Sequence, residues 1–121
     1  MLQTKTSVIV SLQIEALHNF PGAEKVFPEV GFLHSLHRHI FHIKVKVPVY
    51  HDNRDKEFIM LKRDVTEFIH NKYYREDYRC CLFGAMSCEM IAREIMHEFG
   101  ADSVEVWEDM ENGAIIEVVN E

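Results

Sequence analysis

Two histidines stand two residues apart at the start of residues 36–47, LHRHIFHIKVKV. Side chains alternate across a β-strand, so His37 and His39 lie on one face. The apolar residues that share this face are Phe41, Ile43, Val45 and Val47. Residues two apart on a strand are separated by about 6.5 Å. Two imidazoles at that separation can both reach one metal ion, which binds nitrogen at about 2.0–2.1 Å. The pattern therefore predicts a strand with two metal ligands at its entry.

A third histidine, His18, ends an earlier stretch with the same alternation. Residues 6–18 are predicted as a strand, and its inward face carries Val8, Val10, Leu12, Ile14, Ala16 and His18. His18 closes an apolar face just as His37 opens one, and this matching placement makes it the candidate third ligand. Imidazole suits Zn²⁺, and three neutral donors leave a fourth coordination position open, as in catalytic zinc sites.

The alternative for a histidine on an apolar face is an ordinary buried or interface group. For His37 and His39 taken alone this ordinary interpretation is favoured, whereas the addition of His18 and the order of the motifs along the chain favours the metal site. His42 lies on the opposite face of the strand, which predicts exposure to solvent or a subunit contact. The other histidines, His34, His51, His70 and His97, carry no predicted metal role.

Composition and charge restrict the class of protein. The chain has 121 residues, of which 47% are hydrophobic, and this predicts a single domain over residues 1–121. A formal charge of −7 argues against nucleic-acid binding. No apolar run approaches the roughly 20 residues that cross a bilayer, and the N-terminus lacks the order of a signal peptide. We therefore expect a cytoplasmic protein without a membrane partner, whose partners are small molecules or copies of itself. Cys80, Cys81 and Cys88 are expected to be free thiols.

Helical periodicity follows the two strands. Apolar residues recur at helical spacing over about residues 60–73, and a second helix is expected between Ser87 as N-cap and Gly100. Further strands are predicted over residues 103–108 and 114–119, with a turn at 109–113. Residues 74–85 are predicted to be irregular. This ββααββ order favours an α+β fold with a four-stranded antiparallel sheet and both helices on one face.

The element order and the three placed histidines resemble the 6-pyruvoyl-tetrahydropterin synthase and 6-carboxy-tetrahydropterin synthase family, the T-fold proteins. In that family the first strand ends in aromatic-x-Ala-x-His, to which residues 14–18, IEALH, are similar apart from the first residue. The family continues with Leu-His-Gly-His-x-Phe, and residues 36–41, LHRHIF, match all but the glycine. Its second helix opens with Pro-Thr-x-Glu-x-x-Ala, to which residues 86–92, MSCEMIA, are similar. The resemblance extends over about residues 6–119.

The resemblance implies a divergent T-fold member in which His18, His37 and His39 hold Zn²⁺. Glu108, at the end of the penultimate strand, would anchor a pterin-like or purine-like ring. The implied activity is that of a lyase on dihydroneopterin triphosphate or a related purine-derived ring, with zinc polarising a substrate oxygen. T-fold sheets join into an oligomeric barrel with active sites at subunit boundaries, so the resemblance implies a homo-oligomer. Uncovered sheet edges predict the same.

Two departures from the family concern its proton transfer. The family's cysteine base stands four residues before the His-x-His pair, where this chain has Leu33. The family's Asp-His pair between the helices has no counterpart in residues 74–81, YREDYRCC. The candidate bases that remain are Cys81, Asp77, Glu76 and His34. The alternative function is therefore a catalytically silent T-fold protein that binds a pterin-like or purine-like ligand.

Overall fold

The computed structural model describes residues 1–119, which form an α+β fold with one mixed sheet. The strands are β1 (Thr6–His18), β2 (His37–Val49), β3 (Tyr74–Arg75), β4 (Cys80–Gly84), β5 (Ser103–Glu108) and β6 (Asn112–Glu117). The helices are α1 (Ala23–Val26), a 3₁₀ helix over Pro28–His34, α2 (Phe58–Tyr73) and α3 (Cys88–Phe99).

The prediction of a four-stranded antiparallel sheet is wrong. Over residues 1–119 the sheet has six strands in the order β3-β4-β1-β2-β5-β6, and the two additional strands lie in the stretch predicted to be irregular. β4 runs parallel to β1, so the sheet is mixed. Cys80 and Cys81 of β4 are both buried. Consecutive buried residues lack the alternation by which a half-exposed strand is recognised.

The two long strands follow the predicted alternation. β1 and β2 pair antiparallel over their full lengths, from Thr6 opposite Val49 to His18 opposite His37. Their buried residues are Val10, Leu12, Ile14 and Ala16 of β1 and Phe41, Ile43, Val45 and Val47 of β2. These residues join one core cluster with the apolar stripes of α2 and α3. Both helices therefore cover the same face of the sheet, as predicted.

The helix ends follow from local sequence. The Ser87 side chain accepts a hydrogen bond from the Met90 N–H at 3.2 Å, and Gly100 ends α3 with φ of 60°. Both residues act as predicted, because Ser caps N-termini and Gly tolerates the left-handed conformation. α2 begins at Phe58, two residues before its predicted start, where Glu57 accepts from the Met60 N–H. Over residues 1–119, no helix combines the length and apolar character that crossing a bilayer requires.

Candidate metal centre and pocket

The three candidate ligands meet at one end of the β1–β2 pair. His18 is the last residue of β1 and lies opposite His37, the first residue of β2, while His39 lies opposite Ala16. Antiparallel pairing thus brings the end of one strand to the start of the other. One ligand atom from each of the three rings lies within 4.8 Å of the others. The sequence prediction that these histidines converge agrees with this geometry.

Each imidazole is oriented through its Nδ1 atom. Nδ1 of His18 lies 3.1 Å from the Met86 carbonyl oxygen, and Nδ1 of His37 lies 2.9 Å from that of Ser35. A carbonyl oxygen only accepts, so these two Nδ1 atoms carry the proton and donate. Nδ1 of His39 lies 2.6 Å from Asp109 Oδ2. In neutral rings this arrangement leaves Nε2 as the metal-binding atom, with the outer hydrogen bonds typical of metal-ligating histidines.

The free Nε2 atoms fit a divalent cation. Nε2 of His18 and Nε2 of His39 are buried, and within residues 1–119 neither makes a well-formed hydrogen bond; the Glu108 carboxylate faces both, 3.0 Å from His18 Nε2 and 3.6 Å from His39 Nε2. Buried polar atoms without a partner are rare and costly in native proteins. An ion bound by imidazole nitrogens would satisfy both atoms. The donor set of three nitrogens suits Zn²⁺.

Asp109 is a site residue that sequence reasoning did not identify. It follows β5 and has φ of 54°, in the left-handed region that Asp tolerates better than most residues. Its Oδ1 accepts the Ile40 N–H at 2.9 Å while Oδ2 accepts from His39. The Ile40 N–H and then His39 lower the pKa of Asp109, so it remains a carboxylate. The sequence places it in a turn, and its contact with His39 requires the register between β2 and β5.

Glu108 ends β5 and lies beside the histidines. Its Oε2 atom is 3.0 Å from His18 Nε2, and its Oε1 atom is 3.6 Å from His39 Nε2. The Cys88 thiol donates to Oε2 at 3.6 Å. The His18 imidazole lowers the pKa of Glu108. Burial lowers the pKa of His18, but Glu108 and the Met86 carbonyl outweigh burial and raise it overall.

A pocket of about 720 Å³ opens beside these residues, within the range of small-molecule sites. His18, His37 and Glu108 supply polar groups to its wall. Its other lining residues include Asn19, Phe20, Leu33, Met86, Ser87, Cys88, Glu89, Met90 and Asn112. The wall is mainly apolar with a few convergent polar groups, which is typical of a site for a small organic ligand.

The four candidate bases lie outside the pocket wall. Cys81 is in the core, where burial raises the pKa of its thiol to about 11. Glu76 and Asp77 lie in the exposed turn between β3 and β4, and Asp77 pairs with Arg75 at 3.0 Å. His34 ends the 3₁₀ helix and accepts the Gly22 N–H at 3.0 Å. None of the four is among the pocket-lining residues of the described chain.

Cys88, expected from the sequence only to be a free thiol, lies in the pocket wall at the start of α3. Its thiol is buried, and burial, followed by the charge of Glu108, raises its pKa to about 12. A thiol with this pKa stays protonated near neutral pH and acts as a hydrogen-bond donor. Cys88 donates to Glu108, and its place at the start of α3 differs from the position of the cysteine base in the family that the sequence resembles, which is Leu33 here.

Comparisons with known proteins identify the fold. No protein-family model matches the sequence, and no curated protein matches it. Among solved structures, 6-pyruvoyl tetrahydropterin synthase from Plasmodium falciparum is similar, with a TM-score of 0.63 and 16% identity. The match covers 94% of this chain and 98% of that one. At this identity the likeness concerns the fold alone, and the chain has an α+β fold similar to that of this synthase.

Proposed function

We propose that the protein is a zinc-dependent, pterin-synthase-like lyase. Its substrate in this proposal is dihydroneopterin triphosphate or a related purine-derived ring. The observation that carries the proposal is the convergence of three Nδ1-anchored histidines beside one pocket, whose wall includes His18, His37 and Glu108. The pterin-synthase-like fold supports it.

Each residue of the site has a role in this proposal. His18, His37 and His39 would hold Zn²⁺ through Nε2, because their Nδ1 atoms are already hydrogen-bonded. Bound Zn²⁺ supplies a Lewis acid that polarises a substrate hydroxyl or carbonyl oxygen. Glu108 would accept hydrogen bonds from ring N–H groups, and a charge-assisted contact of this kind fixes the orientation of a ring.

A second candidate function is a catalytically silent T-fold protein that binds a pterin-like or purine-like ligand. The observation that favours it is the composition of the pocket wall. Leu33 supplies an apolar side chain where the family's base stands, and Cys81, Asp77, Glu76 and His34 lie elsewhere. The carboxylates that remain in the wall are Glu108, which faces the histidines, and Glu89. Lyase activity therefore requires a proton acceptor other than the four candidates, and a neighbouring copy of the chain is the source that we propose.

Turnover of dihydroneopterin triphosphate by the zinc-loaded protein distinguishes the two functions. For the lyase, triphosphate is released and His37→Ala, which removes a ligand, abolishes the release. For the silent protein, a dihydropterin binds in equilibrium dialysis but no triphosphate appears. Stoichiometric zinc with neither release nor binding would contradict both functions.

A further inference from the structure

We propose that Glu108 is a fourth protein ligand of the metal ion while no substrate is bound. The centre would then be capped by its own carboxylate, and a ligand would have to displace that carboxylate. This inference rests on the proposed zinc site. It gives Glu108 two alternative roles, as a metal ligand while no substrate is bound and as the proposed ring anchor once a ligand has displaced it.

The Glu108 carboxylate lies at about one ligand-to-ligand distance from two of the three imidazoles. Ligands at about 2.0–2.1 Å from a tetrahedral ion are about 3.3–3.4 Å from one another. The two Glu108 oxygens lie 3.0 Å from His18 Nε2 and 3.6 Å from His39 Nε2. Each of the two oxygens is thus close to the tetrahedral edge length from one imidazole nitrogen. An ion between these nitrogens would have the Glu108 carboxylate within reach as a further ligand.

The surroundings of Glu108 also favour a cation beside it. Its side chain is 29% exposed, and in residues 1–119 the basic groups within ion-pair distance of its carboxylate are His18 and His39. Once their Nε2 atoms bind a metal, these imidazoles are neutral, and the metal provides the positive charge that a half-buried carboxylate requires. The Cys88 thiol donates to Oε2 and holds the carboxylate towards the histidines.

A capped centre restricts which molecules can reach the metal. A small anion gains only the metal bond and must displace Glu108 to form it. A ligand with both a coordinating oxygen and ring N–H groups gives Glu108 new partners as it leaves the metal. The capped state would therefore favour ring-bearing ligands over simple anions at the same ion.

The test is azide binding to the Co²⁺-substituted protein, followed by visible absorption, which reports the coordination of cobalt. The variants are Glu108→Ala and Glu108→Gln, with the melting temperature as a check on folding. Glu105→Gln is the matched control, because Glu105 lies on the same strand and accepts a hydrogen bond from the Trp107 indole. The side-chain amide oxygen in Glu105→Gln can still accept the hydrogen bond from the Trp107 indole.

We expect azide to bind Glu108→Ala at least about tenfold more tightly than the unaltered protein. The reason is that azide binds only the uncapped state, so the apparent affinity of the unaltered protein is the intrinsic affinity multiplied by the small uncapped fraction. Glu108→Gln should also bind azide more tightly than the unaltered protein. Glu105→Gln should bind azide with the affinity of the unaltered protein. Equal azide affinity in the unaltered protein and Glu108→Ala, with cobalt bound in both, would overturn the capping role alone. Failure of the unaltered protein to bind cobalt or zinc would overturn the metal site itself.

Discussion

At the scale of single residues, the site depends on which nitrogen of each imidazole carries the proton. Backbone carbonyl groups fix this for His18 and His37, and the Asp109 carboxylate does so for His39. Asp109 holds the backbone of Ile40 with its other oxygen, so a single side chain sets both the position and the tautomer of His39.

Asp109→Asn should weaken zinc binding by about 10–100-fold, the range found when an outer partner of a metal-binding histidine is lost. Asn tolerates the left-handed backbone at this position, and its amide oxygen can still accept from Ile40. The NH₂ group then faces Nδ1 of His39 and favours the proton on Nε2, where it blocks the metal. Competition with a chromophoric chelator measures the affinity.

Glu111→Gln is the control for this prediction, because Glu111 lies two residues further on and is exposed. Its zinc affinity should equal that of the unaltered protein. Zinc affinity of Asp109→Asn within twofold of the unaltered value would contradict the role assigned to Asp109.

Leu33→Cys places a thiol where the family that the sequence resembles has its cysteine base. The substitution tests whether the lack of that base limits the proposed reaction. Leu33 lines the pocket together with His37, so a thiol at this position would face the proposed substrate. If proton removal limits the proposed reaction, we expect triphosphate release to rise by about 10²–10⁴-fold, the usual contribution of a positioned base. Leu33→Ala controls for the added space. Equal rates for Leu33→Cys and Leu33→Ala, with zinc bound in both, would contradict this prediction.

At the scale of strands and helices, the sequence predicts best where one face is buried and the other exposed. β1 and β2 each run for 13 residues with this alternation, and their histidines follow from it. β4 has five residues, and Cys80 and Cys81 are both buried, so its period-2 signal is lost. The role of Asp109 depends on the pairing of β2 with β5, and such contacts between distant segments are not encoded in local periodicity.

A metal at the histidines should join the end of β1 to the start of β2 and stabilise the fold. Binding to the native state at a free zinc concentration of 100 times Kd adds about 2.7 kcal/mol. We therefore expect zinc to raise the melting temperature and a chelator to reverse the rise. His37→Ala should remove the zinc effect. His42→Ala should retain it, because His42 lies on the other face of the same strand. An equal zinc effect in His37→Ala would contradict the assignment.

At the scale of the whole molecule, the sheet has an edge that the described chain pairs only in part. β4 pairs with β1 over Ala16–His18, and residues 6–15 of β1 have no strand partner on that side within residues 1–119. A long strand with free N–H and C=O groups tends to pair with another chain. This edge is our structural reason for proposing the homo-oligomer, and a T-fold barrel is the form that we propose.

Ile9→Lys should lower the oligomer mass measured by light scattering after size-exclusion chromatography. Ile9 lies in the unpaired part of β1 and its side chain is 53% exposed in the single chain. A second copy would cover this apolar side chain, whereas a lysine there disfavours strand pairing. Ile59→Lys is the matched control, since Ile59 is 75% exposed at the start of α2, away from the β1 edge. We expect it to keep the mass of the unaltered protein. A monomeric unaltered protein across a wide concentration range would contradict the assembly, and with it a proton acceptor supplied by a neighbouring copy. An unaltered mass for Ile9→Lys would place the contact elsewhere than this edge.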